Sequence, residues 1–173
     1  MLGMEGLGVM GLGFYWLIDE ELAGCARPGG PEARLRKARQ RDTLAEDLAW
    51  LRRQGIGAVL SLTETPLTEE VVARHGLDVL HVPVPDLTAP TAEEFARALA
   101  FIDTQRALGR AVAVHCLVGE GRTGTVLAAY RIRAGTTPDD AVRELRAHRP
   151  GAVGSDEQVR ALHAFAARRD WIL

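Results

Sequence analysis

Val114-His115-Cys116-Leu117-Val118-Gly119-Glu120-Gly121-Arg122-Thr123-Gly124 is the stretch on which the reading of this chain turns. It leaves a short apolar run, Ala111 to Val114, that reads as a buried strand, and it opens a helix predicted over about 122–133. A glycine-bearing loop between strand and helix can turn successive backbone N–H groups inward as an anion nest. The loop backbone of Leu117, Val118, Gly119, Glu120 and Gly121 would form that nest, and the helix N-terminus adds its dipole. Arg122 can close the ring by gripping two oxygens of a phosphate with its planar fork. Cys116, at the floor of a positive cradle, is expected to ionise and serve as a nucleophile. Thr123 is placed to hydrogen-bond the Cys116 sulfur and ease its departure. The side chain of His115 is expected to point away from that of Cys116 and to fix loop backbone rather than transfer protons.

A cysteine followed six residues later by an arginine is weak evidence alone, since this composition yields one by chance roughly a quarter of the time. Adding Gly119, Gly121 and Thr123 lowers the chance to about 2 in 10,000, and the strand-to-helix context agrees.

Outward from the loop, strands and helices alternate. Phe14 to Ile18 and Glu21 to Gly24 read as two short strands around an acidic turn. Leucines at 44, 48 and 51 mark a helix ended by Gly55. Ile56 to Leu62 reads as a buried strand, Glu69 to His75 as a short helix, and Leu77 to Val84 as a strand stopped by Pro85. Thr91 with Glu94 forms a capping box for a helix to about Leu108. Thr137-Pro138 and Ser155 open two more helices, to about His148 and Arg168. This order predicts a single α/β domain whose central sheet is mainly parallel, has about four to five strands, and is flanked by helices. Residues 1–13, rich in glycine and without period, are expected to be a flexible N-terminus, and 14–173 the catalytic domain.

Composition narrows the function. The 173 residues are 47% apolar and 25% charged, enough for one sizeable core. Lys+Arg 21 against Asp+Glu 23 gives a net charge of −2, so no global basic field points to nucleic acid. Two cysteines exclude a disulfide scaffold, and no Cys or His spacing suggests a metal site. The first 18 residues are apolar, but Glu5 and five glycines argue against a signal peptide or membrane span. The expectation is a cytoplasmic monomer with no metal, no cofactor, no membrane and no nucleic-acid partner.

The loop resembles the signature loop of the cysteine-dependent protein tyrosine phosphatases, and its Gly-x-Gly-Arg-Thr-Gly ending is most similar to the small, catalytic-domain-only dual-specificity phosphatases. The resemblance runs from about Phe14 to the C-terminus. It implies the dual-specificity phosphatase fold and hydrolysis of a phosphorylated protein or small phosphomonoester through a cysteinyl-phosphate. It also implies a general acid about thirty residues upstream, where Val84-Pro85-Asp86-Leu87-Thr88-Ala89-Pro90 lies. By that match Asp86 protonates the leaving oxygen and then acts as base on the hydrolytic water. Ser61-Leu62-Thr63-Glu64 resembles a segment flanking the site. Glu64 is there either a catalytic aid or a loop carboxylate balancing a nearby arginine. Gln158 falls where related enzymes carry a glutamine that helps position water, or it is a polar cap residue.

Other readings stand beside these. A sulfurtransferase or arsenate-reductase-type enzyme would share a cysteine in an anion loop but has no use for the acid loop. A phosphate-binding module would not need Asp86. Cys25 is an ordinary half-buried thiol or, less simply, a redox partner of Cys116. His75, His81, His148 and His163 carry no assigned role. No cation occupies position 117, 118 or 120, and Glu120 would repel a second phosphate, so phosphotyrosine is favoured over polyphosphorylated lipids. The chain departs from the family at 27–43, a basic insertion with six cations (Arg27, Arg34, Arg36, Lys37, Arg39, Arg41) against Glu32 and Asp42. It either overhangs the pocket mouth and attracts acidic substrate flanks, or is a solvated helix extension.

Overall fold

Side chains of Ala111–His115 sort by the two-residue period of a strand. Val112 and Val114, with Cys116 just beyond, join one apolar cluster, and Ala111 and Ala113 join another. All five residues are buried, as in a strand covered on both faces. The computed structural model describes residues 11–31 and 43–168. Within them the order is a 3-10 turn (Gly11–Gly13), β1 (Tyr15–Ile18), β2 (Leu22–Cys25), α1 (Thr43–Arg53), β3 (Ile56–Ser61), α2 (Glu69–Arg74), β4 (Asp78–His81), α3 (Ala92–Ala107), β5 (Ala111–His115), α4 (Gly121–Arg133), α5 (Pro138–His148) and α6 (Asp156–Ala167).

The five strands form one sheet in the order β1-β2-β5-β3-β4. Only β1 runs antiparallel, on β2; the other pairs are parallel. This is the α/β, mainly parallel architecture that the alternation predicts. One cluster joins the sheet to Phe95, Leu99, Leu127, Leu145, Leu162 and Phe165 on α3 to α6. The other holds Leu48 and Leu51 of α1 and Val72 of α2. Helix α4 is buried continuously from Arg122 through Tyr130, as expected of a helix apolar or small on nearly every side. Among the described residues no helix is long and apolar enough to cross a membrane.

The capping chemistry forms as read. Thr91 accepts from the Glu94 N–H at 3.2 Å while Glu94 accepts from the Thr91 N–H at 2.7 Å, and Thr137 caps α5 with Pro138 in its first turn. Two expectations change. The strand expected over Leu77 to Val84 is only Asp78–His81. Val82 and Val84 still donate to Ser61 O and Leu62 O, at 2.9 and 3.1 Å, but the intervening Pro83 has no N–H to extend the ladder. At the N-terminus, residues 1–10 lie outside the described residues, whereas Gly11–Gly13 form an ordered turn with Leu12 buried in the second cluster. Of the basic insertion, residues 32–42 lie outside the described residues.

Candidate active site

Strand β5 delivers Cys116 to the centre of the sheet's C-terminal edge, and α4 begins five residues later. Between them three carbonyls are held from behind. His115 Nδ1–H donates to Cys116 O at 3.1 Å, the Arg27 N–H to Leu117 O at 3.0 Å, and Arg149 Nη2 to Val118 O at 3.2 Å. A trans peptide directs its N–H opposite its carbonyl. The N–H groups of Leu117, Val118 and Gly119 therefore face the other way, and none donates to a partner among the described residues. This is a row of free donors of the kind that makes an anion nest. Gly119, at φ +76°, permits the turn, and a Cβ there would sit 2.6 Å from the carbonyl of Cys25. Gly124 serves α4 instead: a Cβ there would lie 2.9 Å from Ala152 Cβ.

Arg122 is 2% exposed, yet its charge is offset by two largely solvent-facing carboxylates, Glu64 and Asp86, at 54% and 61%. Nη1 donates to Glu64 Oε2 at 3.0 Å and to Val84 O at 2.9 Å, and Nη2 pairs with Asp86 Oδ1 at 3.2 Å. Glu64 Oε1 also accepts the Asp86 N–H at 2.8 Å, so one carboxylate ties the arginine to the loop that bears the aspartate. Glu64 is thus the carboxylate that balances an arginine. A hydrogen bond from its own backbone N–H, reinforced by Arg122 and Asp86, holds it below the ordinary carboxylate range despite slight burial.

Asp86 sits on a tight turn closed by the Thr88 N–H to Pro85 O at 3.2 Å, with Leu87 at φ +63°. Helix α6 holds that turn: Ser155 Oγ donates to Leu87 O at 3.0 Å and Gln158 Nε2 to Thr88 O at 3.0 Å. Gln158 also closes the α6 capping box with Ser155, and its amide lies 3.1 Å from where a Gly121 Cβ would be. Its buried amide is therefore a cap and a loop tether in one.

Three other expectations are revised. The hydrogen bond from Thr123 to the Cys116 sulfur is not made: Thr123 Oγ1 is buried without a partner. Glu120 does not offer a bare charge to the pocket, because its Oε1 is paired with Arg149 Nε at 3.2 Å. Cys25 is fully buried rather than half-buried, with its backbone registered against His115, and burial pushes its thiol far up from the ordinary value. The opposite orientation of His115 and Cys116 follows from strand parity, with Cys116 in the α4-side cluster.

His115 is fully buried, and burial lowers its pKa to about 3. An unfolded chain takes up this proton below about pH 6.5 while the folded one does not, so stability is complete above that pH and falls as pH drops toward 3. Urea unfolding of the parent should therefore lose up to about 1.4 kcal/mol per pH unit from this group between pH 6 and 4. His115→Asn should show a shallower slope over the same window. Equal slopes would show that His115 is not held neutral.

A parallel sheet that presents a cysteine, a free N–H nest and a helix-start arginine in one loop defines the Cys-x5-Arg class of anion-handling folds. The family model described as "Polymorphic toxin system, DSP-PTPase phosphatase" matches residues 34–136, and the chain belongs to that DSP-PTPase family. The crystal structure of Tk-PTP in its active form superposes with a TM-score of 0.77 at 30% identity, covering 92% of this chain and all of that one. A phosphatidylglycerophosphate phosphatase of Arabidopsis thaliana, PTPMT2, is 29% identical over 126 residues, 70% of this chain and 55% of its own length. Human protein tyrosine phosphatase type IVA 3 is 27% identical, covering 66% of this chain and 68% of its own. This chain thus spans little more than half the length of the plant relative.

Two residues at the site carried no individual signal in the sequence. Arg27 is only one of the six cations counted in the 27–43 insertion, and Arg149 one arginine beside Pro150. Their placement depends on tertiary contacts, with β2 against the loop and the α5–α6 connection beneath it.

Proposed function

We propose that this protein is a phosphomonoesterase that works through a cysteinyl-phosphate and prefers phosphotyrosine, with phosphoserine and phosphothreonine second. The observation that carries this is the convergence of Arg122 and Asp86, at 3.2 Å, beside the free N–H nest above Cys116. The nest and Arg122 hold three phosphoryl oxygens. A phosphate dianion competes with Asp86 for the guanidinium and releases that carboxyl toward the leaving oxygen, while Glu64 keeps Arg122 in place. Asp86, freed from that ion pair, takes up a proton from solvent; the Cys116 thiolate then attacks phosphorus in line, the P–O bond to the alcohol breaks, and Asp86 gives that proton to the leaving oxygen. In the second half-reaction Asp86 takes a proton from water, water attacks phosphorus, and the S–P bond breaks to release inorganic phosphate. The unpartnered Thr123 hydroxyl is free to donate to the departing sulfur.

Leu117 is exposed and lines the cleft with Asp86 and Arg122, and the exposed Leu87 follows Asp86 on its turn. They support an aromatic leaving group. Pairing with Arg149 lowers the repulsion that Glu120 offers a second phosphate, and the plant relative is named for a lipid substrate, so kcat/KM on phosphotyrosine and on a phospholipid is the measurement that separates the two. A sulfurtransferase or arsenate reductase would leave the Glu64–Asp86 arrangement without a use.

Hydrolysis of p-nitrophenyl phosphate should persist in EDTA, and acid quench during turnover should trap phosphate on the protein. A lack of trapped phosphate in an active enzyme would refute the covalent route. Asp86→Asn should lower kcat by about 10²–10⁴-fold for phosphotyrosine, the usual worth of a general acid. The loss should be much smaller for a leaving group that needs no proton.

A further inference from the structure

The proposed phosphatase site carries a second cation with a different electrostatic setting. Arg27 lines the same cleft of about 300 Å³ as Arg122, Asp86 and Leu117. Arg122 has two carboxylate partners, Glu64 and Asp86. Arg27 has no carboxylate within ion-pair reach among the described residues. Its Nη1 donates to Thr63 Oγ1 and to Thr65 O, the latter at 2.8 Å, and its Nη2 donates to Pro66 O at 3.0 Å. All these acceptors are neutral. They hold the guanidinium in one place without a direct ion pair, and leave Nε–H and one Nη2–H without a partner among the described residues. Its backbone is fixed as well, by the Arg27 N–H on Leu117 O and the Gly30 N–H on Arg27 O, each 3.0 Å. Partial burial lowers its pKa while Glu64 raises it.

We propose that Arg27 is a second anion-binding point on the substrate wall, which selects phosphotyrosine peptides bearing an aspartate or glutamate next to the phosphorylated residue. This rests on the phosphatase reading above. A carboxylate one residue along an extended peptide reaches the wall of the cleft while the phosphate occupies the nest. There it meets a lining cation that, among the described residues, no carboxylate pairs with directly. A headgroup with additional phosphates would instead meet the exposed Glu64 and Asp86 carboxylates, so a peptide suits this cleft better than a polyphosphorylated lipid.

The test compares kcat/KM for a phosphotyrosine peptide flanked by aspartate, the same peptide flanked by alanine, and a monophosphorylated phosphoinositide. The parent should favour the aspartate peptide over the alanine peptide by about fivefold at low salt, the upper range for a partly exposed ion pair. That ratio should shrink toward one at high salt. Arg27→Gln should bring the ratio toward one by lowering kcat/KM for the aspartate peptide more than for the alanine peptide, and Arg27→Lys should keep most of the ratio. A ratio near one in the parent would overturn the proposal, and this measurement needs no variant to fold. Equal losses on both peptides in both variants would also overturn it, leaving Arg27 as a clamp on the Thr63–Pro66 segment. Faster hydrolysis of the inositide than of either peptide would overturn it in favour of a lipid headgroup. Absence of turnover on every substrate would instead count against the phosphatase reading itself.

Discussion

Cys116→Ser should reduce phosphatase turnover by at least about 10⁴-fold while leaving vanadate or phosphate binding largely in place. The nest that holds the anion is made by the N–H groups of Leu117, Val118 and Gly119, and their carbonyl anchors on His115, Arg27 and Arg149 do not involve the sulfur. A hydroxyl is a far weaker nucleophile than a thiolate, and no base stands beside it in the proposed mechanism. The decisive measurement is paired: steady-state turnover and equilibrium vanadate binding on the same preparation. Turnover within tenfold of the parent would remove Cys116 from the reaction. Loss of both properties would mean that the substitution had collapsed the loop.

Arg122→Ala should cost about 10³–10⁵ in kcat/KM, comparable to removing an arginine that stabilises a phosphoryl transition state elsewhere, and should abolish vanadate binding as well. This variant differs from the serine variant in its effect on the rest of the site. Glu64 and Asp86 would lose their shared partner and face each other as like charges, held together by the Asp86 N–H on Glu64 Oε1 at 2.8 Å. Arg122→Lys should recover little, because one ammonium cannot serve Glu64, Val84 O and Asp86 from a single position as the planar fork does. Substantial rescue by lysine would show that point charge rather than fork geometry matters.

The sequence carries the fold where local chemistry decides it. Capping at Thr91, Thr137 and Ser155, and the apolar runs of β3 and β5, set the alternation that builds the sheet. The loop from Cys116 to Gly124 is legible because tight curvature, free N–H groups and a buried guanidinium each demand a residue type. What stays hidden depends on pairings between distant segments. Nothing near Glu120 announces that Arg149, 29 residues away, will neutralise it. Nothing near Arg27 announces that Thr63, Thr65 and Pro66 will fix it at the wall of the cleft. Gln158 was visible as a position, but its bond to Thr88 O spans 70 residues. The shorter β4 was readable in principle, since Pro83 alone removes the donor that a longer ladder needs.

The attachment of the Asp86 turn to the first turn of α6 bears on how this scaffold can be rebuilt. Two backbone carbonyls of that turn, Leu87 O and Thr88 O, are received by Ser155 and Gln158, residues that also form the helix cap. The turn of the proposed proton donor, Asp86, and the start of α6 are therefore one inheritable module, split across the chain but joined in space. A chimera that imports a new 84–90 segment from a relative should import its 155–158 segment too. Otherwise the graft loses either the helix start or the placement of its acid.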